Sequence, residues 1–184
     1  TGGDRYNLIP SNNIIDNCDI HDFAKLKYVY APAVGLGGVG NIVRNCDIHD
    51  AFHQGLALDG NDCVVKNNKF YNLCLGTEDA GAVYSYSDST CRGNIIEANY
   101  FENIGERKPT ATTPYSTYGV WSVYLDGNSS GQTVKENVFK NVIGGVFANN
   151  GGNIEITDNV FVDVTSPITA YPVTGVHNTN AYFK

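Results

Sequence analysis

"IIDNCDIHDF" at residues 14–23 returns with three changes as "IVRNCDIHDA" at 42–51. Two near-copies in a short chain signal an internal repeat, and a repeat is read before any other feature because it fixes the architecture. Working outward from the pair, four more ten-residue strings align with it: "VVKNNKFYNL" (64–73), "IIEANYFENI" (95–104), "TVKENVFKNV" (133–142) and "EITDNVFVDV" (155–164). Successive strings start 28, 22, 31, 38 and 22 residues apart.

The columns of this alignment carry physical meaning. The second position reads Ile15, Val43, Val65, Ile96, Val134, Ile156 and the seventh Ile20, Ile48, Phe70, Phe101, Phe139, Phe161, two continuous apolar stacks. The fifth reads Cys18, Cys46, Asn68, Asn99, Asn137, Asn159, and the ninth is Asp or Asn in all six strings (Asp22, Asp50, Asn72, Asn103, Asn141, Asp163). Asn or Asp at a fixed place in each repeat suits a turn, because its short side chain satisfies local backbone groups and tolerates a left-handed φ. Like residues stacked about 4.8 Å apart form a ladder, at the spacing of neighbouring strands. Strand-rich repeats of about 22 residues, with Asn and Gly between them and almost no helical periodicity, predict an all-β fold, a right-handed parallel β-helix of six to seven coils. A leucine-rich repeat would show Leu at several fixed positions, and these columns hold Ile, Val, Phe and Asn. A partial seventh string at 176–184 is expected to place Asn180 and Tyr182 in the fifth and seventh columns. Residues 1–184 thus read as a single domain, expected to be part of a longer solenoid.

Composition narrows the partners. Twelve Lys and Arg against nineteen Asp and Glu give a formal charge of −7. The bases are scattered, so nucleic acid is not an expected partner. No run of 18 apolar residues exists to cross a membrane, and no initiating Met or leader is present, so any targeting peptide is expected to be removed or to lie outside this stretch.

A second strand precedes each string: "AVGLGG" (33–38), "GLALDG" (55–60), "AVYSYS" (82–87), "SVYLDG" (122–127) and "GVFANN" (145–150). This register brings Gly37, Asp59, Ser85 or Tyr86, Asp126 and Asn149 near one another, and puts His53 and Asp79 in adjacent coils. The two longest intervals hold insertions, which in solenoids sit on the binding face. The longer, 105–121, carries Tyr115, Tyr118 and Trp121, the single tryptophan. Aromatic rings beside carboxylates suit a sugar, whose C–H faces stack while its hydroxyls need acceptors. The competing reading is that these rings pack the loop onto the solenoid.

"NCDIHD", "PAVGLGGVGN", "IHDAFHQGLALDGND", "TEDAGAVYS", "VYLDGNSSGQTVKENVF" and "GGVFANNGGNIEITDNVFVD" occur in an order and spacing that resembles bacterial right-handed parallel β-helix repeat proteins allied to β-helical glycoside hydrolases, in the pectate-lyase-like superfamily. The resemblance covers nearly the whole chain. It implies that Asp79 of "DAGA" and Asp126 of "YLDG" are the catalytic carboxylates. Gly127 stands where such proteins usually have a second Asp, and "YSYSDST" where they often carry a basic and an aromatic residue.

Hydrolysis of a glycosidic bond needs two carboxyl groups flanking it, one acid and one nucleophile or base. Asp79 and Asp126 converge only if the chain bends near Gly81. Glu78 is an alternative to Asp79, and His53 an orienting or protonating partner. Tyr84, Asp59, Tyr118, Trp121 and Tyr124 are expected to bind the sugar. No cofactor is expected, although Glu78, Asp79, Asp59 and Asp126 offer the oxygen ligands that calcium takes. His21 and His49 share a mixed, solvated eighth column, where a metal is the minority reading. Cys74 and Cys91 bracket an insertion that a disulfide would close, and Cys18 and Cys46 sit on neighbouring rungs. "NSS" at 128–130 fits an N-glycosylation acceptor.

These observations predict an extracellular, carbohydrate-active β-helix, a glycoside hydrolase on a poly- or oligosaccharide. Two alternatives stand beside it. One is a non-catalytic structural, adhesive or filament-forming β-helix that associates end to end. The other is a polysaccharide lyase, which needs a cation that "DAGA" and "YLDG" lack.

Overall fold

The computed structural model describes residues 2–105 and 119–171, together with the backbone of a short strand at 182–183. Those residues contain no helix and three parallel sheets. Each coil contributes one strand to each sheet. The first sheet stacks Ile14–Asp16, Ile42–Arg44, Val64–Lys66, Ile95–Glu97, Thr133–Lys135, Glu155–Thr157 and Tyr182–Phe183. The second stacks Asp19–His21, Asp47–Ala51, Lys69–Leu73, Tyr100–Ile104, Val138–Lys140 and Val160–Val162. The third stacks Val34–Val39, Leu56–Asn61, Ala80–Ser85, Val120–Leu125, Gly144–Asn149 and Ser166–Tyr171. This is a right-handed parallel β-helix of about six coils, the fold the repeat predicts.

The repeat strings align in register as their letters do: Ile15 pairs with Val43, Val43 with Val65, Ile96 with Val134 and Val134 with Ile156. The seventh column forms a stack of rings, with Phe70, Phe101, Phe139 and Phe161 at centroid spacings of 5.1, 5.0 and 4.9 Å. Phe70, Phe101 and Phe139 are fully buried. A single coil cannot bury its own apolar face, so stacking of successive rungs is what removes it from water, at about 25 cal/mol per Å².

The fifth-column asparagines hold the corner between the first and second sheets. Asn99 Oδ1 accepts the Asn68 N–H at 2.9 Å and the Asn68 Nδ2 at 3.0 Å, and Asn99 Nδ2 donates to Val65 O at 2.9 Å. Asn137 and Asn159 repeat that pattern one and two rungs on. The left-handed φ expected of these turns falls one position earlier, at Asn17, Asn45, Asn67, Ala98, Glu136 and Asp158. The fifth-column residue is free to bond along the stack because its neighbour takes the strained conformation. The ninth column combines both properties, with φ between 52° and 59° at all six positions and Asn72, Asn103 and Asn141 bonded in series.

A further ladder at the corner between the third and first sheets was not read from the repeats. Asn41 Nδ2 donates to Gly37 O, Asn94 Nδ2 to Gly60 O and Gln132 Nε2 to Cys91 O. Its signal lies just before each string, at Asn13, Asn41, Cys63, Asn94 and Gln132.

One expectation is corrected. Tyr182 pairs with Glu155 and Phe183 with Ile156, so these residues occupy the first and second columns of the repeat, and Tyr182 is not in the seventh. All five cysteines are free thiols, so no disulfide closes 74–91 or joins Cys18 to Cys46. Cys74 instead directs its buried thiol at His53 O. The eighth column is the solvated face expected of it: His21 stacks on His49 at 5.1 Å, His49 on Tyr71 at 4.3 Å, and Lys140 pairs with Glu102.

Candidate active site

The third sheet pairs Leu56 with Val83, Val83 with Val123 and Val123 with Val146, and these four side chains face the core. The next residue along each strand therefore points outward. That column reads Ala57, Tyr84, Tyr124, Phe147, and its three rings form a cluster with Trp121 that is separate from the core. Ring centroids are 4.9 Å apart for Tyr84 and Tyr124, 4.9 Å for Tyr124 and Phe147, and 4.8 Å for Trp121 and Phe147. An aromatic band thus runs up the outside of the sheet.

Two residues further along the strands, the same face carries Asp59, Tyr86, Asp126 and Asn149, so the register resolves the choice between Ser85 and Tyr86 in favour of Tyr86. Ser85 is fully buried and bonds Ser129 at 2.9 Å. Asp126 is held by three donors: Tyr84 Oη at 2.6 Å on one oxygen, Gly127 N at 2.7 Å and Asn149 Nδ2 at 2.9 Å on the other. Asp79 precedes the strand Ala80–Ser85 at φ 53° and accepts the Tyr124 hydroxyl at 3.0 Å. Neighbouring tyrosines of one band therefore hold one carboxylate each, and the two acids face the same side of the sheet. The left-handed φ at Asp79 turns the chain into the strand, and Gly81 lets it lie close against Tyr124. A Cβ there would stand 2.8 Å from Tyr124 Cβ and 2.9 Å from Val83 O, an approach that only glycine permits.

Electrostatics keep both tyrosines protonated. Burial, reinforced by Asp126 and Asp79, pushes the Tyr84 and Tyr124 hydroxyls well above their ordinary value of 10.0. Burial also raises Asp59, against the Tyr86 N–H that its carboxylate accepts. His53 is 2% exposed, and burial lowers its imidazole below the ordinary 6.5 while Asp79 acts the other way. No hydrogen bond joins His53 to Asp79, so the expected orienting contact is purely electrostatic.

The remaining candidates divide. Glu78 is exposed, and its carboxylate makes no hydrogen bond to a described residue, whereas that of Asp79 accepts the Tyr124 hydroxyl. Tyr118 lies outside the described residues. Trp121 is 6% exposed and packs on the band, over Gly144, whose missing side chain leaves the room. Tyr84 and Tyr124 are 3% and 2% exposed, so they position the acids and do not offer open ring faces. The calcium ligands do not gather: among the described residues no group of three or more His, Cys, Asp or Glu side chains is placed to hold a metal ion. Gly127, standing where an Asp is usual, abuts Ser87, and a side chain there would collide with its hydroxyl. Two site residues were not singled out from the sequence, Gln54 and Tyr30. Gln54 follows His53 in "FHQG", where position alone gives it no distinguishing signal, and Tyr30 lies in a segment with no counterpart in the other repeats.

A family model described as a right handed beta helix region matches residues 2–123. No curated protein and no solved structure matches the chain. No helix among the described residues is long and apolar enough to cross a membrane.

Proposed function

The chain belongs to the right-handed β-helix family, and on that premise we propose that it is a carbohydrate-active member, a glycoside hydrolase that uses Asp79 and Asp126 on a poly- or oligosaccharide outside the cell. The observation that carries this reading is the crossed pair of hydrogen bonds, Tyr84 to Asp126 and Tyr124 to Asp79, which fixes two carboxyl groups on one aromatic face. Asp126, with three donors, is oriented as a nucleophile or water-activating base must be. Asp79, at the exposed edge of the band with one donor, is placed to meet the leaving oxygen as the acid. The tyrosines, kept protonated, orient the acids and take no proton from them.

The test is sugar release from a panel of aryl glycosides and plant and microbial polysaccharides by the wild type and by Asp79→Asn and Asp126→Asn. Release by the wild type, reduced about 100-fold or more in each variant, supports the assignment. Release unaffected by both substitutions, or none from folded wild type, refutes it.

One observation favours the non-catalytic reading: the rings of Tyr84 and Tyr124 are covered. On that reading the band is structural, and the chain is an adhesive or filament-forming solenoid. A lyase is less favoured because the "DAGA" and "YLDG" stretches that carry Asp79 and Asp126 hold no Lys or Arg.

A further inference from the structure

Among the described residues, four buried side-chain polar atoms have no hydrogen-bond partner, and three of them border the aromatic band: His53 Nδ1, Gln54 Nε2 and Trp121 Nε1. Buried polar groups in native structures are almost always bonded, so a cluster of exceptions calls for a reason. The Gln54 amide uses one of its two polar atoms on Tyr86, Oε1 accepting the hydroxyl at 3.2 Å. Its other polar atom, Nε2, has nothing to bond. Tyr86 meets Tyr84 edge-on at 4.9 Å, and Tyr84 holds Asp126, so this amide adjoins the acid pair.

The Tyr30 ring flanks His53 and Tyr86. Tyr30 lies 5.3 Å from the His53 ring and 6.4 Å from that of Tyr86. It is 49% exposed and sits at φ 51°, a backbone conformation that is costly for an aromatic residue. Tyr30 thus stands where a flat ligand would rest against His53, on backbone that gains by moving.

We propose that His53, Gln54 and Tyr86, flanked by Tyr30, form a hydroxyl-recognition subsite for an uncharged sugar ring next to Asp79 and Asp126. The proposal rests on the carbohydrate reading above and specifies its substrate class. Gln54 Nε2 donates to a sugar hydroxyl, His53 Nδ1 bonds a second, and the displaced Tyr30 ring stacks on the sugar's C–H face. An acidic sugar is disfavoured by charge: the described carboxylates that act on His53 and Tyr86 are Asp79 and Asp59.

Trp121 is the only tryptophan, and it belongs to the same band, so its fluorescence reports binding directly. The wild type, Gln54→Met, Gln54→Glu and Tyr30→Ala are titrated with cellohexaose, xylohexaose, mannohexaose and hexagalacturonate, with circular dichroism confirming the fold of each. A neutral hexasaccharide is expected to shift the Trp121 emission, with affinity about tenfold weaker in either Gln54 variant, the loss of about one hydrogen bond. Tyr30→Ala, at a half-exposed position that leaves the core intact, is expected to change that affinity at least threefold. Equal affinity in wild type and variants, or binding of hexagalacturonate alone, overturns the subsite and leaves the acid pair standing. No shift with any sugar, together with no sugar release by folded wild type, overturns both.

Discussion

Replacing Asn99 with Ala tests whether the polar ladder, and not only the apolar stack, holds the coils in register. Asn99 is 2% exposed, and its side chain makes four hydrogen bonds: to Val65 O, to Asn137 Oδ1, and from the N–H and Nδ2 of Asn68. Asn68 Nδ2 keeps Val43 O and Asn137 Oδ1 keeps the Asn99 N–H, so both survive the change. The Asn68 N–H is left unmatched inside the coil, whereas the Val65 carbonyl loses its Asn99 bond but keeps its place in the parallel pairing with Ile95–Glu97. One unmatched buried donor at about 1–3 kcal/mol and one net hydrogen bond at about 0.5–1.5 kcal/mol sum to about 1.5–4.5 kcal/mol. Against a typical domain stability of about 5–15 kcal/mol, that is a large fraction of the whole. Urea unfolding followed by circular dichroism measures it. Asn103→Gly is the comparison: Asn103 is half-buried at φ 53°, a conformation that glycine adopts freely, and the change is expected to cost less than about 1 kcal/mol. If Asn99→Ala costs less than about 1 kcal/mol as well, the ladder is incidental and the stacked aliphatic and Phe columns alone set the register.

His49 supplies a pH signature. Burial pulls its imidazole down, but hydrogen bonds to Asp50 and Asp19, both 2.8 Å, outweigh it and leave the group raised above 6.5, while Asp50 is lowered below 3.8. A raised imidazole stabilises fully below the unfolded value and loses that contribution as pH rises through the folded one; the lowered carboxylate contributes above 3.8 and fails as pH falls through its folded value. The stability difference between wild type and His49→Gln should therefore be largest between about pH 4 and 6.5 and shrink above that range; a difference that is flat from pH 5 to 8.5 contradicts the pairing. Thiol titration with a chromogenic disulfide should count one reactive cysteine in the native protein, the exposed Cys18, and five in urea; fewer than five in urea would reveal a disulfide. In Gly144→Ala a Cβ meets the Trp121 ring, so a loss of about 1–3 kcal/mol and a red-shifted Trp emission are expected; unchanged emission would mean that Trp121 does not rest on Gly144.

The sequence by itself determined the coil, because a parallel stack places identical columns on top of one another and every column must satisfy the same neighbours. Val43 over Val65, Phe101 over Phe139 and Asn99 over Asn137 are legible as letters for that reason. The third-sheet register was legible too, down to the row containing Asp59, Asp126 and Asn149. The tertiary structure alone decided what each outward side chain touches. The close approach of Gly81 to Tyr124, the crossing of Tyr84 to Asp126 and Tyr124 to Asp79, and the burial of Trp121 over Gly144 depend on side-chain reach between rungs, which column identity does not encode. Gln54 and Tyr30 escaped notice for the same reason: neither repeats, and their meaning comes from Tyr86 and His53, far away along the chain and adjacent only after the coils close.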